Sequence, residues 1–201
     1  FINGRFLPWE EATVSIDDRG FQFGDAVYEV IRTYRGTPFE FAAHLARLNR
    51  SVGELSLCQP YTKAQWTRWI QQGLSLAGYQ DAKIYIQVTR GVAPREHGFP
   101  TDTLPTVVMT IREFHPLTPD VRRTGVSACT REDLRWGRCD IKSVNLLANV
   151  LAREEAKKAG VFETILVRDG FVMEGALSNV MAIQDGVVMT APEGPRILSG
   201  V

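Results

Sequence analysis

Two prolines within four residues, in His115-Pro116-Leu117-Thr118-Pro119-Asp120, break the helical and strand periodicities that run up to them. Proline lacks the N–H that a helix or central strand needs, and it forces the preceding residue toward extended conformations. No continuous element can cross that stretch. The reading is therefore a first domain over 1–115, a linker over 116–120 and a second domain over 121–201. A chain of 201 residues is long enough for two small cores or one large one.

The first domain reads as mixed α/β. Asn3-Gly4 supplies the positive φ angles of a tight hairpin turn. Thr13 to Ile16 reads as a short strand, and Val27 to Tyr34 as a longer one that turns at Arg35-Gly36. Leu45, Leu48, Val52 and Leu55 form one helical stripe; Trp66, Trp69, Ile70 and Leu74 form a second, stopped by Gly78. Ile84, Ile86 and Val88 alternate as a strand, and Thr106 to Ile111 is a nearly continuous apolar one.

In the second domain, Gly125 to Cys129 predicts a strand. Ser143 to Lys158 predicts a helix with Leu146, Leu147, Val150 and Leu151 toward the core. Three strands are expected at Glu163–Val167, Val180–Ile183 and Val187–Thr190, turning at Asp169-Gly170 and Asp185-Gly186. Glu174-Gly175 falls where a strand should give way to a loop.

The formal charge is zero and the pI about 7.0, so no basic field draws nucleic acid or an anionic membrane. No apolar run reaches the roughly 20 residues of a membrane span. The three cysteines and three histidines lack ligand spacing, so no metal is expected. Cys58, Cys129 and Cys139 point to a reducing compartment rather than a disulfide framework, and the expected location is cytoplasmic. The first residue is Phe1, and no element follows the Pro192–Pro195 loop. The sequence is therefore expected to be part of a longer protein.

Arginine outnumbers lysine 18 to 5, which makes each lysine conspicuous. Lys142 is expected at the mouth of an apolar helix, where its stem is drawn inward and burial disfavours its charge. Such a lysine is a nucleophile toward an aldehyde, whereas most lysines only decorate surfaces. Glu174 is either an exposed turn carboxylate beside Gly175 or a carboxylate that keeps a ring nitrogen protonated. Arg47 sits at the margin of an apolar helix face, as a solvated residue or as a phosphate clamp. Arg95 and His97 stand two apart in a loop stiffened by proline and glycine, a place where function often resides. Cys139 reads first as a small buried hydrophobe.

Five stretches in order resemble one family. They are Asp18 to Val30, His44 to Leu48, Gln87 to Gly91 continuing through Arg95 and His97, Arg135 to Leu147, and Glu174-Gly175 with Ser178-Asn179-Val180. The chain resembles the fold-type IV pyridoxal phosphate enzymes, and among them the D-amino acid aminotransferases. The resemblance implies an α/β (α+β) fold of two domains, a small N-terminal α/β domain and a larger mixed α/β pseudo-barrel. In that family the chain continues past Val201. It also implies a ping-pong transaminase moving an amino group between a D-amino acid and a 2-oxo acid, with pyridoxal 5'-phosphate as cofactor.

By that resemblance Lys142 would form the Schiff base and shuttle the α-proton, Glu174 would pair with the pyridine nitrogen, Arg47 with the phosphate, and Leu198 would pack on the ring. Tyr28, Arg95 and His97 would bind the substrate carboxylate, the last two from the other subunit of a homodimer. Ala176-Leu177 departs from the small hydroxyl residues frequent there. The alternatives are a branched-chain aminotransferase, an R-selective amine transaminase, an aminodeoxychorismate lyase, or a non-catalytic relic acting as a binding module.

Overall fold

A computed structural model describes residues 1–201. The chain falls into two compact units, one of Phe1–His115 with Lys142–Val144 and Val201, the other of Pro116–Ile141 with Asn145–Gly200.

The first unit is built on an antiparallel sheet of four strands, β1 (Ala26–Tyr34), β2 (Thr37–Pro38), β3 (Ala82–Thr89) and β4 (Val107–Glu113), in the order β2-β1-β3-β4. Strand β1 pairs with β3 from Ala26↔Thr89 to Arg32↔Lys83. Period-two alternation puts Val27, Glu29, Ile31 and Thr33 on one buried face of β1, while Ile84, Ile86 and Val88 line that of β3. Fully burying an aliphatic side chain contributes about 1.5–3 kcal/mol, so the β1–β3 face is the main source of cohesion here.

A short helix α1 (Arg19–Phe23) precedes β1, and helix α2 (Phe41–Glu54) packs Leu45, Leu48 and Val52 inward. Helix α3 (Lys63–Ala77) starts on a reciprocal cap between Thr62 and Gln65, buries Trp66 and Ile70, and ends at Gly78 in the left-handed conformation. The Asn3-Gly4 turn forms as the sequence demands, with Ile2 bridged to Arg5.

The second unit starts with helix α4 (Pro119–Thr124). Strands β5 (Ala128–Glu132) and β6 (Glu163–Arg168) pair in parallel, and β6 pairs antiparallel with β7 (Phe171–Gly175). Helix α5 (Leu147–Lys158) lies on β6, and β8 (Met181–Gln184) with β9 (Val187–Thr190) forms a separate hairpin. The turns at Asp169-Gly170 and Asp185-Gly186 have the positive φ angles their sequences call for. No helix is long and apolar enough to cross a membrane.

Four expectations are corrected. Thr13–Ile16 is not a strand: Val14 and Ile16 are exposed, and the segment has no partner strand. The strand placed at Gly125–Cys129 forms at Ala128–Glu132, in register with β6. The long helix begins at Leu147 rather than Ser143, because Val27 bridges Ser143 and the Val144 N–H donates to the Ala26 carbonyl. Its inner face is also different. Leu147, Val150 and Leu151 are exposed, while the small Ala152 and Ala156 are buried. Ala152 joins Leu166 and Ala176 in a compact cluster, and the buried Thr164 hydroxyl donates to the Ala152 carbonyl.

Candidate active site

Lys142 is fixed as part of an extended segment in the first unit. Its N–H donates to Ser51 Oγ of α2 at 3.2 Å, and its carbonyl accepts from the Tyr28 N–H of β1 at 2.9 Å. The main chain is thus held from both sides, and the Nζ lies 4.3 Å from the centre of the Tyr28 ring. The ring of Tyr28 in turn stacks on Tyr85 at 5.8 Å. The Tyr85 hydroxyl donates to Gln87, and burial, with Tyr28 beside it, pushes its pKa up to about 12. A half-buried amine on a rigid main chain, beside an aromatic face, is well placed to act as a nucleophile.

Next to Tyr28 on β1 stands Glu29, a residue the sequence reading passed over. It is 0% exposed. Arg47 donates to it twice, from Nε at 2.6 Å and from Nη2 at 2.9 Å, and His44 Nδ1 lies 2.8 Å from its Oε2. Burial raises the Glu29 pKa. Hydrogen bonds from Arg47 and His44, with the charges of Arg47 and Lys142, outweigh that and hold it below the usual carboxylate value. Arg47, expected at a phosphate, here has two of its nitrogens on Glu29. A signal was available in the sequence: Glu29 shares the inward face with Val27 and Ile31, and His44 sits one turn before Leu48.

Arg95 and His97 gather around Phe23. The Arg95 guanidinium lies 5.0 Å from its ring centre and the His97 ring 5.3 Å. Their loop is held by the buried Arg19, which donates to the Glu96 and His97 carbonyls and pairs with Asp25 at 2.9 Å. Arg90 grips the same Asp25 with Nε at 2.7 Å and Nη2 at 3.0 Å.

The loop leaves β3 through Gly91, whose φ is +104°, and a Cβ there would collide with the Leu104 carbonyl. Gly91→Ala should therefore lower stability by at least about 2 kcal/mol in urea unfolding. A loss under about 0.5 kcal/mol would contradict the close approach.

Glu174 belongs to the second unit, at the end of β7, and is 6% exposed rather than a solvated turn carboxylate. Arg135 Nη1 donates to its Oε1, Asn179 Nδ2 to its Oε2 at 3.1 Å, and the Leu198 N–H is shared between both oxygens at 3.2 Å. Burial raises the pKa of Glu174, and Arg135 opposes the rise. Leu198 is thus tied to the Glu174 carboxylate through its main chain. Cys139 is buried, and burial pushes its thiol up, so it stays a neutral packing residue. Arg135 and Asp133 escaped the sequence reading because nothing local marks an arginine as buried.

These donor sets suit a pyridoxal phosphate. Glu174 is a largely buried carboxylate held by Arg135, Asn179 and the Leu198 N–H, an acceptor of the kind a pyridinium N–H takes. Lys142 carries a primary amine, the chemistry an aldehyde takes, and the largely covered Arg47 carries a fork of the kind that suits a phosphate.

A model of the amino-transferase class IV family matches residues 26–201. The D-alanine aminotransferase of Staphylococcus haemolyticus is 46% identical over all 201 residues, which span 71% of that protein. That of Bacillus licheniformis is 42% identical, again over the whole chain and 70% of its own. Among solved structures, the branched-chain amino acid aminotransferase of Escherichia coli superposes with a TM-score of 0.92 at 23% identity, over the whole chain and 69% of the other; this shows the fold alone. The branched-chain aminotransferase of the archaeon Thermoproteus uzoniensis, solved with norvaline, gives 0.87 at 25% identity, over the whole chain and 70% of its own. Another branched-chain amino acid aminotransferase of this fold was solved with pyridoxamine 5'-phosphate.

Proposed function

The chain belongs to the class IV aminotransferases, and from that premise we propose that it moves an amino group between a D-amino acid and a 2-oxo acid. The observation that carries the proposal is the similarity across the whole chain to proteins named D-alanine aminotransferases. The cofactor is pyridoxal 5'-phosphate, which supplies an aldehyde carbon for the substrate nitrogen and a cationic ring that draws electron density from the substrate's α-carbon.

The residues divide the remaining work. Lys142 Nζ would hold the cofactor, then take the proton from the substrate's α-carbon and deliver it to the carbon that began as the cofactor's aldehyde, a proton transfer between positioned groups. Ser51 and the Tyr28 main chain keep the lysine backbone fixed while the side chain swings. Glu174 accepts a hydrogen bond from the ring nitrogen and keeps that nitrogen protonated. Arg47 offers charge to the phosphate while Glu29 holds its fork. Leu198, tied to Glu174 through its N–H, would border the ring. Tyr28 borders the substrate, and Arg95 with His97 binds its carboxylate from a second copy of the chain in a homodimer. The loop that carries them is pinned by Arg19.

Two measurements test this reading. Borohydride reduction of the cofactor-loaded protein, followed by peptide mass mapping, should leave the pyridoxyl mass on the peptide that contains Lys142; label on another lysine overturns the assignment. D-alanine, D-glutamate, L-leucine and a chiral amine should be compared with 2-oxoglutarate as acceptor. The D-amino acids should lead, and faster turnover of L-leucine would make this a branched-chain aminotransferase instead.

A further inference from the structure

Each nitrogen of the Arg135 guanidinium has a partner, and two of the acceptors are the buried carboxylates of Asp133 and Glu174. Nε and Nη2 each lie 2.9 Å from an oxygen of Asp133, Nη1 donates to Glu174, and Nη2 also donates to the Arg196 carbonyl at 3.1 Å. The Asp133 side chain is 0% exposed and pairs in addition with Arg168 at 3.1 Å. Two acids and two arginines therefore balance in charge. The remaining nearby titratable group, Cys139, stays neutral.

Buried ion networks are not an efficient source of stability, since apolar side chains of similar volume do as well or better. This one has a chemical use. An isolated carboxyl at the Glu174 position would be driven by burial toward its neutral form. A neutral carboxyl neither attracts a pyridinium nor keeps the ring nitrogen charged.

We propose that Arg135, fixed by Asp133, is a positioning residue that holds the Glu174 carboxylate ionised and in one orientation for the cofactor's ring nitrogen. The inference rests on the reading that Glu174 meets that nitrogen. Asn179 and the Leu198 N–H hold the same carboxylate from other sides, but neither carries charge. Arg135 is a cation bonded directly to it. Arg135 touches no reacting atom and acts only through Glu174.

The test reads the ring nitrogen directly. Wild-type protein, Arg135→Gln, Arg135→Lys and Glu174→Gln are loaded with cofactor labelled with 15N in the ring, and the nitrogen resonance is followed against pH. Wild type should show the pyridinium position and Glu174→Gln the neutral one. Arg135→Gln should shift toward neutral, losing its ring proton at lower pH than wild type, and Arg135→Lys should restore part of the difference.

A wild-type resonance in Arg135→Gln, alongside a changed one in Glu174→Gln, overturns the role of Arg135 alone. An unchanged resonance in Glu174→Gln overturns the reading beneath it as well. Should Arg135→Gln not fold, 13C titration of Glu174 in the wild-type protein decides. An ionised carboxylate at neutral pH supports the proposal, and a protonated one ends it.

Discussion

Lys142→Ala should lower turnover of D-alanine by more than about 10³-fold, because removing a positioned proton-transfer group alone costs on the order of 10²–10⁴ and the anchor for the aldehyde goes with it. The fold should survive the change. The bonds that fix position 142 run through its N–H to Ser51 and its carbonyl to Tyr28, and alanine keeps both. The side chain lost is half-buried and lies against one ring, so the unfolding free energy should move by less than about 1 kcal/mol. Steady-state rates and urea unfolding of the same preparation separate the two effects. A variant retaining a tenth of wild-type turnover would remove Lys142 from the mechanism.

Glu29→Gln carries the other large effect, on stability. Arg47 would remain as a buried cation without its counter-charge, at side-chain exposures of 10% for Arg47 and 1% for the lost carboxylate. Breaking one partner of such a pair costs about 3–5 kcal/mol. The pH dependence has a definite sign. The pKa of Glu29 is lower in the folded protein than in the unfolded chain, where it is about 4.3. Its contribution is therefore complete above that unfolded value and is lost as pH falls through the lower, folded one. The stability gap between wild type and Glu29→Gln should stay level from neutral pH down to about 4.3, then narrow in stronger acid. Urea unfolding across that range checks it. A gap that stays constant into strong acid would mean the cluster is not held together by the charge on Glu29.

The sequence was most legible where local rules decide the outcome. The Asn3-Gly4, Asp169-Gly170 and Asp185-Gly186 turns, the Gly78 stop and the alternation of Ile84, Ile86 and Val88 each depend on a few neighbouring residues, and each formed as read. It was least legible where a distant strand intervenes. Ser143 and Val144 were read as the start of the helix, yet β1 supplies contacts that hold them in an extended form. The stripe Leu147, Val150, Leu151 looked like a core face. Helix α5 instead offers β6 its alanines, whose small side chains let helix and strand come close.

The same division holds for the site. Lys142 and Glu174 were singled out through local setting and motif order. Glu29, which grips Arg47, and Arg135, which grips Glu174, become visible only through their named contacts, because a charge in an inward position is a weak cue until its counter-ion is located.

The three residues from Lys142 to Val144 belong to the first unit, although the chain on either side of them belongs to the second. Translation therefore delivers the amine late: Tyr28 and Ser51 must wait roughly a hundred residues for the strand that joins them, and a fragment ending near His115 would emerge from the ribosome with its core sheet complete but chemically mute. Gene fusion at that seam would transplant the framework and leave Lys142 with the other half.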